Sequence, residues 1–350
     1  MFLKEKFDSH GAFVKLKSRL VANGKQQERA EIENPNSPTA KLASLFISLV
    51  IAAHEGRKAS IHDVGTAFLN AEMTGETVHV ILDKIMTGLL LKIKPEYEKF
   101  VTHNDEIVME LDKALYGCIQ SARLWYDRLR SVLEKNGFIA NEMDQCVFNK
   151  TVNGKQVTLI VYVDDILCLC AEEAQHDAVA NLLKREFTET KYEKNDVLSF
   201  LGMTLDFRVK NQVKVTMAGY EESMLSDYGT TGVASTPASS NLLDIDSASK
   251  KLGEEERARF HTFSAKLLYL GCRTRPEIQV ATSFLSSRVT IATEQDAKKL
   301  DRVMKYLNNT RGAGLVLEGA DKLVVRAFID SSHGIHEDGK GQQGLFAWAR

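Results

Sequence analysis

The sequence predicts an α+β fold built around an antiparallel sheet, and three features of the 350 residues support this prediction. Two apolar, β-favouring runs, residues 156–163 and 166–170, flank an Asp-Asp pair, which is typical of a two-residue β-hairpin. The segment 121–135, SARLWYDRLRSVLEK, places its apolar residues on one helical face and ends at Asn136 and Gly137. The composition, 44% hydrophobic and 26% charged, is that of a globular chain long enough for two or more subdomains.

The N-terminal half is predicted to combine one long helix with several strands. After an extended segment at 13–22, Pro38 and Thr39 predict the start of a helix, and Gly56 predicts its end. The apolar run 42–53 between them is well short of the roughly 20 residues that cross a bilayer, so it predicts a buried helix. Three β-favouring segments follow, one that ends at Asp63, one at 78–82 and one at 106–111.

The C-terminal half is predicted to continue this mixture, with a loosely packed boundary around Pro237. Its periodicity favours helices where apolar residues recur every three or four positions and strands where they alternate. The predicted helices are 175–187, 254–270 and 297–307, and the predicted strands are 198–207, 213–217, 314–319 and 323–330.

The charge of the chain does not by itself indicate a polyanion-binding protein, because the net charge is −2 and the pI is about 6.5. Two local clusters are basic, and either one also fits an ordinary solvated charged face. The first thirty residues contain seven lysines and arginines against three acidic residues. The second cluster, at helical spacing, consists of Lys298, Lys299, Arg302 and Lys305.

The five cysteines form no CxxC pair and are not interleaved with histidines, so the sequence predicts neither a zinc knuckle nor a disulfide framework. Reduced thiols in an intracellular compartment are the simplest interpretation. The N-terminus lacks the apolar region of a secretory signal, and no segment is long and apolar enough for a membrane span.

The acidic residues suggest a metal site. Asp164 and Asp165 lie together at the predicted hairpin tip, where two carboxylates repel each other unless solvent or a cation offsets their charge. Mg²⁺ prefers such hard oxygen ligands, although Asp in a hairpin also serves simply as a turn residue. Asp63 follows another β-favouring run. Two-metal phosphoryl transfer would require Asp63 to meet the Asp-Asp pair on neighbouring strands of one sheet.

These residues lie in blocks that resemble the reverse-transcriptase region of copia-type LTR retrotransposon polyproteins. The resemblance runs in the family's order along nearly the whole chain, which is far more specific than any one block. The seven blocks are KSRLVANGKQQ (17–27), HDVGTAFLNAEM (62–73), LDKALYGCIQSARLWY (111–126), VYVDDIL (161–167), FLGMTLDF (200–207), KLLYLGCRTRPEI (266–278) and YLNNTRGAGLVL (306–317).

The resemblance implies a right-hand polymerase fold, with fingers, an antiparallel palm and a thumb in residues 1–235. A connection region at 236–318 would follow, and then a truncated ribonuclease H-like β start at 319–350. Asp330 matches the first carboxylate of that ribonuclease H site. Its partner carboxylates would lie beyond Arg350, so we expect no ribonuclease H activity from this chain. We interpret it as a fragment of a larger polyprotein or as a degenerate genomic copy.

The resemblance also assigns roles to individual residues of the polymerase site. Asp63, Asp164 and Asp165 match the catalytic, metal-binding aspartates, and the carbonyl of Val64 would be a further metal ligand. Two positions depart from the family pattern, because Ile119 stands where a Lys is usual and Ala122 where a Pro is usual. The matches to nucleotide-binding positions are Lys17, Arg19, Phe68, Tyr116 and Gly117, and those to the primer grip are Phe200, Leu201, Gly202 and Met203.

The implied function is RNA-directed and DNA-directed DNA polymerisation, with two Mg²⁺ ions or Mn²⁺ as a substitute. The implied partners are an RNA template, a DNA primer, deoxynucleoside triphosphates and other parts of the polyprotein, such as integrase and capsid. The expected location is a cytoplasmic virus-like particle, with a nuclear location as the alternative, and no membrane partner is expected. The alternative function is that of a catalytically inactive, nucleic-acid-binding remnant of such a polymerase.

Overall fold

The computed structural model confirms the predicted mixture of helices and strands. It describes residues 1–7, 13–29, 35–75, 77–320, 322–332, 334, 339 and 341–349. The helices are α1 (Leu42–Glu55), α2 (Lys84–Ile93), α3 (Ser121–Lys135), α4 (Glu173–Glu186), α5 (Ala218–Tyr228), α6 (Glu254–Gly271), α7 (Gln279–Ser287) and α8 (Glu294–Asn309).

In the part of the chain that the structure describes, the strands form five sheets. Three of the sheets are two-stranded hairpins or ribbons, formed by β1 with β2, β4 with β5 and β15 with β16. The strands are β1 (Phe2–Phe7), β2 (Phe13–Arg19), β3 (Lys58–Val64), β4 (His79–Leu82), β5 (Ile107–Glu110), β6 (Ile139–Ala140), β7 (Val147–Val152), β8 (Lys155–Tyr162), β9 (Asp165–Cys170), β10 (Thr190–Glu193), β11 (Val197–Phe200), β12 (Met203–Asp206), β13 (Gln212–Thr216), β14 (Leu315–Glu318), β15 (Val325–Ser332) and β16 (Gln342–Ala349).

The chain divides into two compact units, and each is formed by several segments. The regions that the resemblance implies, with limits at 235 and 318, are not tested by this division and stay predictions. The first unit comprises Met1–Ala40, His62–Cys168 and Ala174–Tyr192, and the second comprises Lys41–Ile61, Leu169–Glu173 and Glu193–Arg350.

A six-stranded sheet in the order β10-β3-β9-β8-β7-β6 supplies the framework of the first unit. Residues 157–161 of β8 are all buried, so both faces of this central strand are covered. The apolar stripe of α3 is also buried, as its helical periodicity predicts. Its buried side chains include Trp125, Tyr126, Leu129, Val132 and Leu133.

The second unit contains the antiparallel sheet β11-β12-β13-β14, and α1 packs against β13 and β14. The approach is close at Gly319, where an added Cβ would lie 2.4 Å from the Cα of His54. Helices α5 to α8 pack together. The side chain of Arg275 is buried among them and forms two ion pairs. Its Nη1 donates to Oε1 of Glu221 at 2.9 Å, and its Nε donates to Oε1 of Glu277 at 2.6 Å.

Several sequence predictions of secondary structure are confirmed. Helix α3 has the predicted limits, and α1 ends at Gly56, which adopts the left-handed conformation with φ of 65°. The segment 198–207 was wrongly predicted as one strand, because it forms the hairpin β11–β12. The start of α1 was also placed too early, since the helix begins at Leu42 and not at Pro38 or Thr39.

Among the residues that the structure describes, none of the helices combines the length and the apolar character that a membrane span requires.

Candidate active site

The turn between β8 and β9 presents Asp164 and Asp165, and its backbone is strained. Of the two residues between these strands, Val163 has a φ of 57°, a conformation that β-branched residues rarely adopt and that costs about 1–3 kcal/mol. The indole Nε1 of Trp125 donates a hydrogen bond to the carbonyl oxygen of Val163 at 2.7 Å. Helix α3 therefore holds the turn in this conformation.

Asp63 lies on β3, which neighbours β9 in the sheet. The backbone N–H of Val64 donates to the carbonyl oxygen of Asp164 at 3.0 Å. The segments of Asp63 and Asp164 are therefore adjacent, although about a hundred residues separate them in sequence. On the other side of β3, Nζ of Lys191 lies 3.6 Å from Oδ2 of Asp63 and partly offsets its charge.

The three carboxylates interact electrostatically. Burial, together with the negative charges of Asp164 and Asp63, raises the pKa of Asp165 to about 6. Among the described residues, however, the oxygens of the three do not all lie within 4.8 Å of one another. Hard anionic oxygens that repel one another are a donor set that fits a divalent ion such as Mg²⁺.

The pH dependence of the metal-free protein should show this repulsion. Since the pKa of Asp165 is raised from 3.8 to about 6 on folding, its ionisation destabilises the folded state. We expect the free energy of unfolding to fall as the pH rises between these two values, and to fall less in Asp165→Asn. Urea unfolding of both proteins with a chelator present measures this. Identical pH profiles for the two proteins would contradict the expectation.

An aromatic pair lies beside the carboxylates. The ring centroids of Phe68 and Tyr116 are 4.4 Å apart, and the guanidinium carbon of Arg19 lies 5.8 Å from the Tyr116 ring. The pKa of Tyr116 is raised by burial and then by the charge of Asp164, with a smaller effect from Asp63. Three of the residues that match nucleotide-binding positions are therefore close together and near the acidic residues.

Gly117 fixes the loop that carries Tyr116. Its φ is 95°, and an added Cβ would lie only 2.0 Å from the carbonyl oxygen of Ala22. The N–H of Ala22 donates to the carbonyl oxygen of Tyr116 at 2.8 Å. Glycine is therefore required where this loop meets the segment that follows β2. Lys17, the remaining residue that matches a nucleotide-binding position, lies on β2 directly opposite Lys4.

The residues that match the primer grip form the hairpin β11–β12, which belongs to the second unit. Phe200 and Met203 pair across it and are buried. Leu201 and Gly202 form the turn, with φ values of 52° and 77°. Only these two turn residues are thus open to a ligand.

Asp330 lies on β15, opposite Gly344 of β16, and its side chain is exposed. Within the described ranges, it has no two further histidine, cysteine or acidic ligand atoms within 4.8 Å. This two-stranded pairing alone does not test the predicted ribonuclease H site.

Three residues of the site were missed by the sequence analysis. Glu189 directly precedes β10, and Lys191 lies in it. The carbonyl oxygen of Glu189 accepts a 2.8 Å hydrogen bond from the N–H of Gly65. Nothing in the local sequence indicates that this segment pairs with β3. Trp125 was recognised as part of an apolar helix face. The acceptor of its indole N–H, the carbonyl oxygen of Val163, depends on tertiary structure.

A comparison with protein families identifies the class. Residues 2–239 match the family described as reverse transcriptase (RNA-dependent DNA polymerase). The match covers more than half of the chain, which therefore belongs to this family.

Within the family, the most informative relatives are retrotransposon polyproteins of the copia type, so the predicted resemblance is confirmed. The chain is 28% identical over 331 residues to the retrovirus-related Pol polyprotein from transposon RE2 of Arabidopsis thaliana, which covers 93% of this chain. It is 24% identical over 341 residues to that from transposon TNT 1-94 of Nicotiana tabacum, which covers 94% of this chain. The chain spans only 21% and 24% of these two relatives.

Proposed function

We propose that this chain is an RNA-directed DNA polymerase that also copies DNA templates, and that it adds nucleotides to a primer 3′-hydroxyl by a two-metal mechanism. The observation that supports this most directly is the hydrogen bond between Val64 and Asp164, because it sets Asp63 beside the turn that carries Asp164. Membership of the reverse transcriptase family supports the class of reaction.

The metal ligands in this proposal are the carboxylates of Asp63, Asp164 and Asp165 and the carbonyl of Val64. They would hold two Mg²⁺ ions, for which Mn²⁺ can substitute. Bound ions supply two effects, a lower pKa of the attacking hydroxyl and stabilisation of the leaving oxygen. Asp63 and Asp164 hold the ion site next to the hydroxyl, and Asp165 supports the site electrostatically.

The nucleotide would bind against the aromatic pair. Arg19, with Lys17, neutralises the triphosphate, because a guanidinium fork matches the spacing of phosphate oxygens. Phe68 closes the sugar pocket against a 2′-hydroxyl, while Tyr116 and Gly117 form the adjacent loop. The packing of Phe68 on Tyr116 supports this arrangement, since it keeps the Phe68 ring from moving aside.

The proposal also assigns roles to the primer-grip residues and to the regions of the chain. Residues 200–203 would grip the primer, with Gly202 allowing the backbone to approach it closely. Residues 1–235 would form fingers, palm and thumb, 236–318 the connection, and 319–350 the ribonuclease H-like start. An RNA template, a DNA primer and deoxynucleoside triphosphates are the proposed ligands. The proposed setting is a cytoplasmic particle with other polyprotein parts, such as integrase and capsid.

Primer extension on a homopolymer RNA template tests the proposal. We expect the purified chain to elongate a DNA primer with Mg²⁺ and the complementary deoxynucleotide, to stop when a chelator is added, and to resume with Mn²⁺. Binding of the template and primer without any elongation under all of these conditions would instead support the inactive remnant.

The sugar pocket gives a separate prediction. In Phe68→Ala the ring that would meet a 2′-hydroxyl is absent, so we expect ribonucleotides to be incorporated more readily relative to deoxynucleotides. The loss of the steric clash between the Phe68 ring and a 2′-hydroxyl corresponds to about 1–2 kcal/mol, or roughly 5- to 30-fold in the ratio of kcat/KM values. Single-nucleotide extension with each substrate measures the ratio. Leu69→Ala, at an exposed neighbouring position, is the control and should leave it unchanged.

A further inference from the structure

Two cysteines and a histidine come together where β9 leads into α4. Cys168 and Cys170 are two positions apart on β9, so their side chains lie on the same face of the sheet. His176 lies near the start of α4, the helix that follows β9. All three residues are buried, and their ligand atoms, the two Sγ atoms and a ring nitrogen, all lie within 4.8 Å of one another. These three side chains are called the Cys₂His cluster below.

The spacing of the Cys₂His cluster fits a zinc ion. In a tetrahedral zinc site the Zn–S distances are about 2.3 Å and the Zn–N distances about 2.0–2.1 Å, which sets the ligand atoms about 3.5–3.8 Å apart. The three atoms of the cluster would therefore need to approach one another by about 1.3 Å at most. Small rotations about side-chain bonds provide a movement of this size.

The chemistry of the cluster distinguishes it from the acidic site. Thiolates and imidazoles are ligands for zinc and for softer metals, whereas Mg²⁺ prefers oxygen. Two thiolates balance the charge of Zn²⁺, and an imidazole is neutral when it binds a metal. The loaded site is then uncharged, which matters because the burial of a net charge is costly. A monovalent ion such as Cu⁺ would leave a buried negative charge with the same ligands.

Packing alone is the simpler role for a buried cysteine, since a thiol behaves as a small apolar group. Cys118 and Cys146 fit that role, because both are buried and, within the described part of the chain, neither belongs to a group of three such closely spaced ligand atoms. The cysteines of β9 differ because a buried histidine lies against both. Burial of an imidazole is costly unless its nitrogens have partners, and a metal ion is one such partner.

We propose that Cys168, Cys170 and His176 bind a Zn²⁺ ion that ties α4 to β9. The two thiols lose their protons on binding, and water takes the fourth position of the tetrahedron. Because β9 begins at Asp165, the ion fastens the strand that carries this aspartate to the helix that follows it. The site is separate from the carboxylates and does not depend on the proposed polymerase function. Its Cys-x-Cys spacing differs from that of a zinc knuckle, which the sequence does not contain.

Metal content and cobalt absorption test this inference. The full chain, with Cys272→Ser to remove the exposed thiol, is produced in medium that contains Zn²⁺ or Co²⁺, so that the metal is present while the site folds. After purification in excess Mg²⁺, we expect one zinc ion per chain. For the cobalt protein we expect an absorption band from thiolate-to-cobalt charge transfer. Oxygen ligands give no such band, so cobalt bound at the carboxylates is distinguished from cobalt at the cluster.

Two pairs of substitutions give a matched comparison in the same background. Cys168→Ala/Cys170→Ala should abolish the cobalt band and raise the Kd for zinc, measured against a competing chelator, by about a hundredfold or more, since the loss of an outer-shell partner alone costs 10- to 100-fold. Cys118→Ala/Cys146→Ala removes the same number of buried thiols and should change neither readout. His176→Cys replaces one zinc ligand with another and should keep the band, whereas His176→Ala should weaken it.

Far-UV circular dichroism shows which of these variants are folded. An absence of bound zinc from the protein with the intact cluster would overturn the inference, whatever the variants do. An equal loss of zinc affinity in the two folded cysteine pairs would overturn it as well. Because these measurements use no primer, template or nucleotide, their outcome is independent of the polymerase proposal.

Discussion

Replacing Asp164 with asparagine is expected to reduce primer extension by about a thousandfold, which corresponds to roughly 4 kcal/mol of transition-state stabilisation. Asparagine keeps the shape of the side chain but removes the anionic oxygen that a divalent ion requires. The backbone carbonyl of Asp164, which accepts the bond from Val64, is unchanged. The turn should therefore keep its structure, and the Kd for template and primer should stay within about threefold, since phosphate contacts set it.

Single-turnover extension on a primed homopolymer RNA measures this loss. Asp105→Asn is a matched control, because Asp105 is an exposed carboxylate that pairs with Lys84 and has a φ of 61°, which asparagine tolerates. The control should extend primers like the wild type. If Asp164→Asn retained a tenth or more of the wild-type rate, the assignment of the metal ligands would be wrong.

The second large effect concerns stability, and it follows from the burial of Arg275 in the second unit. Arg275 and Glu221 are only 1% and 3% exposed, and they are joined at 2.9 Å. Arg275→Met would leave the carboxylate of Glu221 buried without its cation. Breaking such a pair costs about 3–5 kcal/mol, so we expect a loss of this size in the free energy of unfolding.

The double variant Arg275→Met/Glu221→Leu should recover much of that loss, because neither charge then remains buried. Burial already raises the pKa of Glu221 against the opposing effect of Arg275. In Arg275→Met the loss should therefore shrink as the pH falls below the ordinary carboxyl pKa, where Glu221 is neutral in both the folded and the unfolded state. Urea unfolding provides the measurement. Lys58→Met, which breaks a pair with Asp196 in which both side chains are more than half exposed, is the control and should have little effect.

The parts of the fold that the sequence predicted well have local causes. The apolar stripe and the Asn-Gly stop define α3, and Gly56 ends α1 by adopting the left-handed conformation. The hairpin β11–β12 was missed because Leu201, an apolar residue, occupies a left-handed turn position and continues the alternating pattern. Helix α2 was missed because Gly88 and the apolar residues around it do not indicate a helix.

The candidate site was predictable to a similar extent. The Asp-Asp turn and its flanking strands follow from the sequence, which also marks Asp63 as a candidate, and the family resemblance assigns the three aspartates a common role. The pairing of β3 with both β9 and β10, which brings Lys191 to Asp63, depends on contacts between distant segments. The partners of charged side chains also depend on the tertiary structure. For this reason the sequence does not show that Lys299, in the second basic cluster, donates to a backbone carbonyl, or that Lys305 pairs with Asp301.

The bond between Trp125 and Val163 also gives the protein an internal optical probe. The chain contains two tryptophans, and the indole of Trp125 is hydrogen-bonded directly to the turn that carries Asp164. Indole emission responds to hydrogen bonding and to nearby charge. Intrinsic fluorescence from Trp125 can therefore report changes in hydrogen bonding and charge at this turn in real time, without a dye attached to the protein.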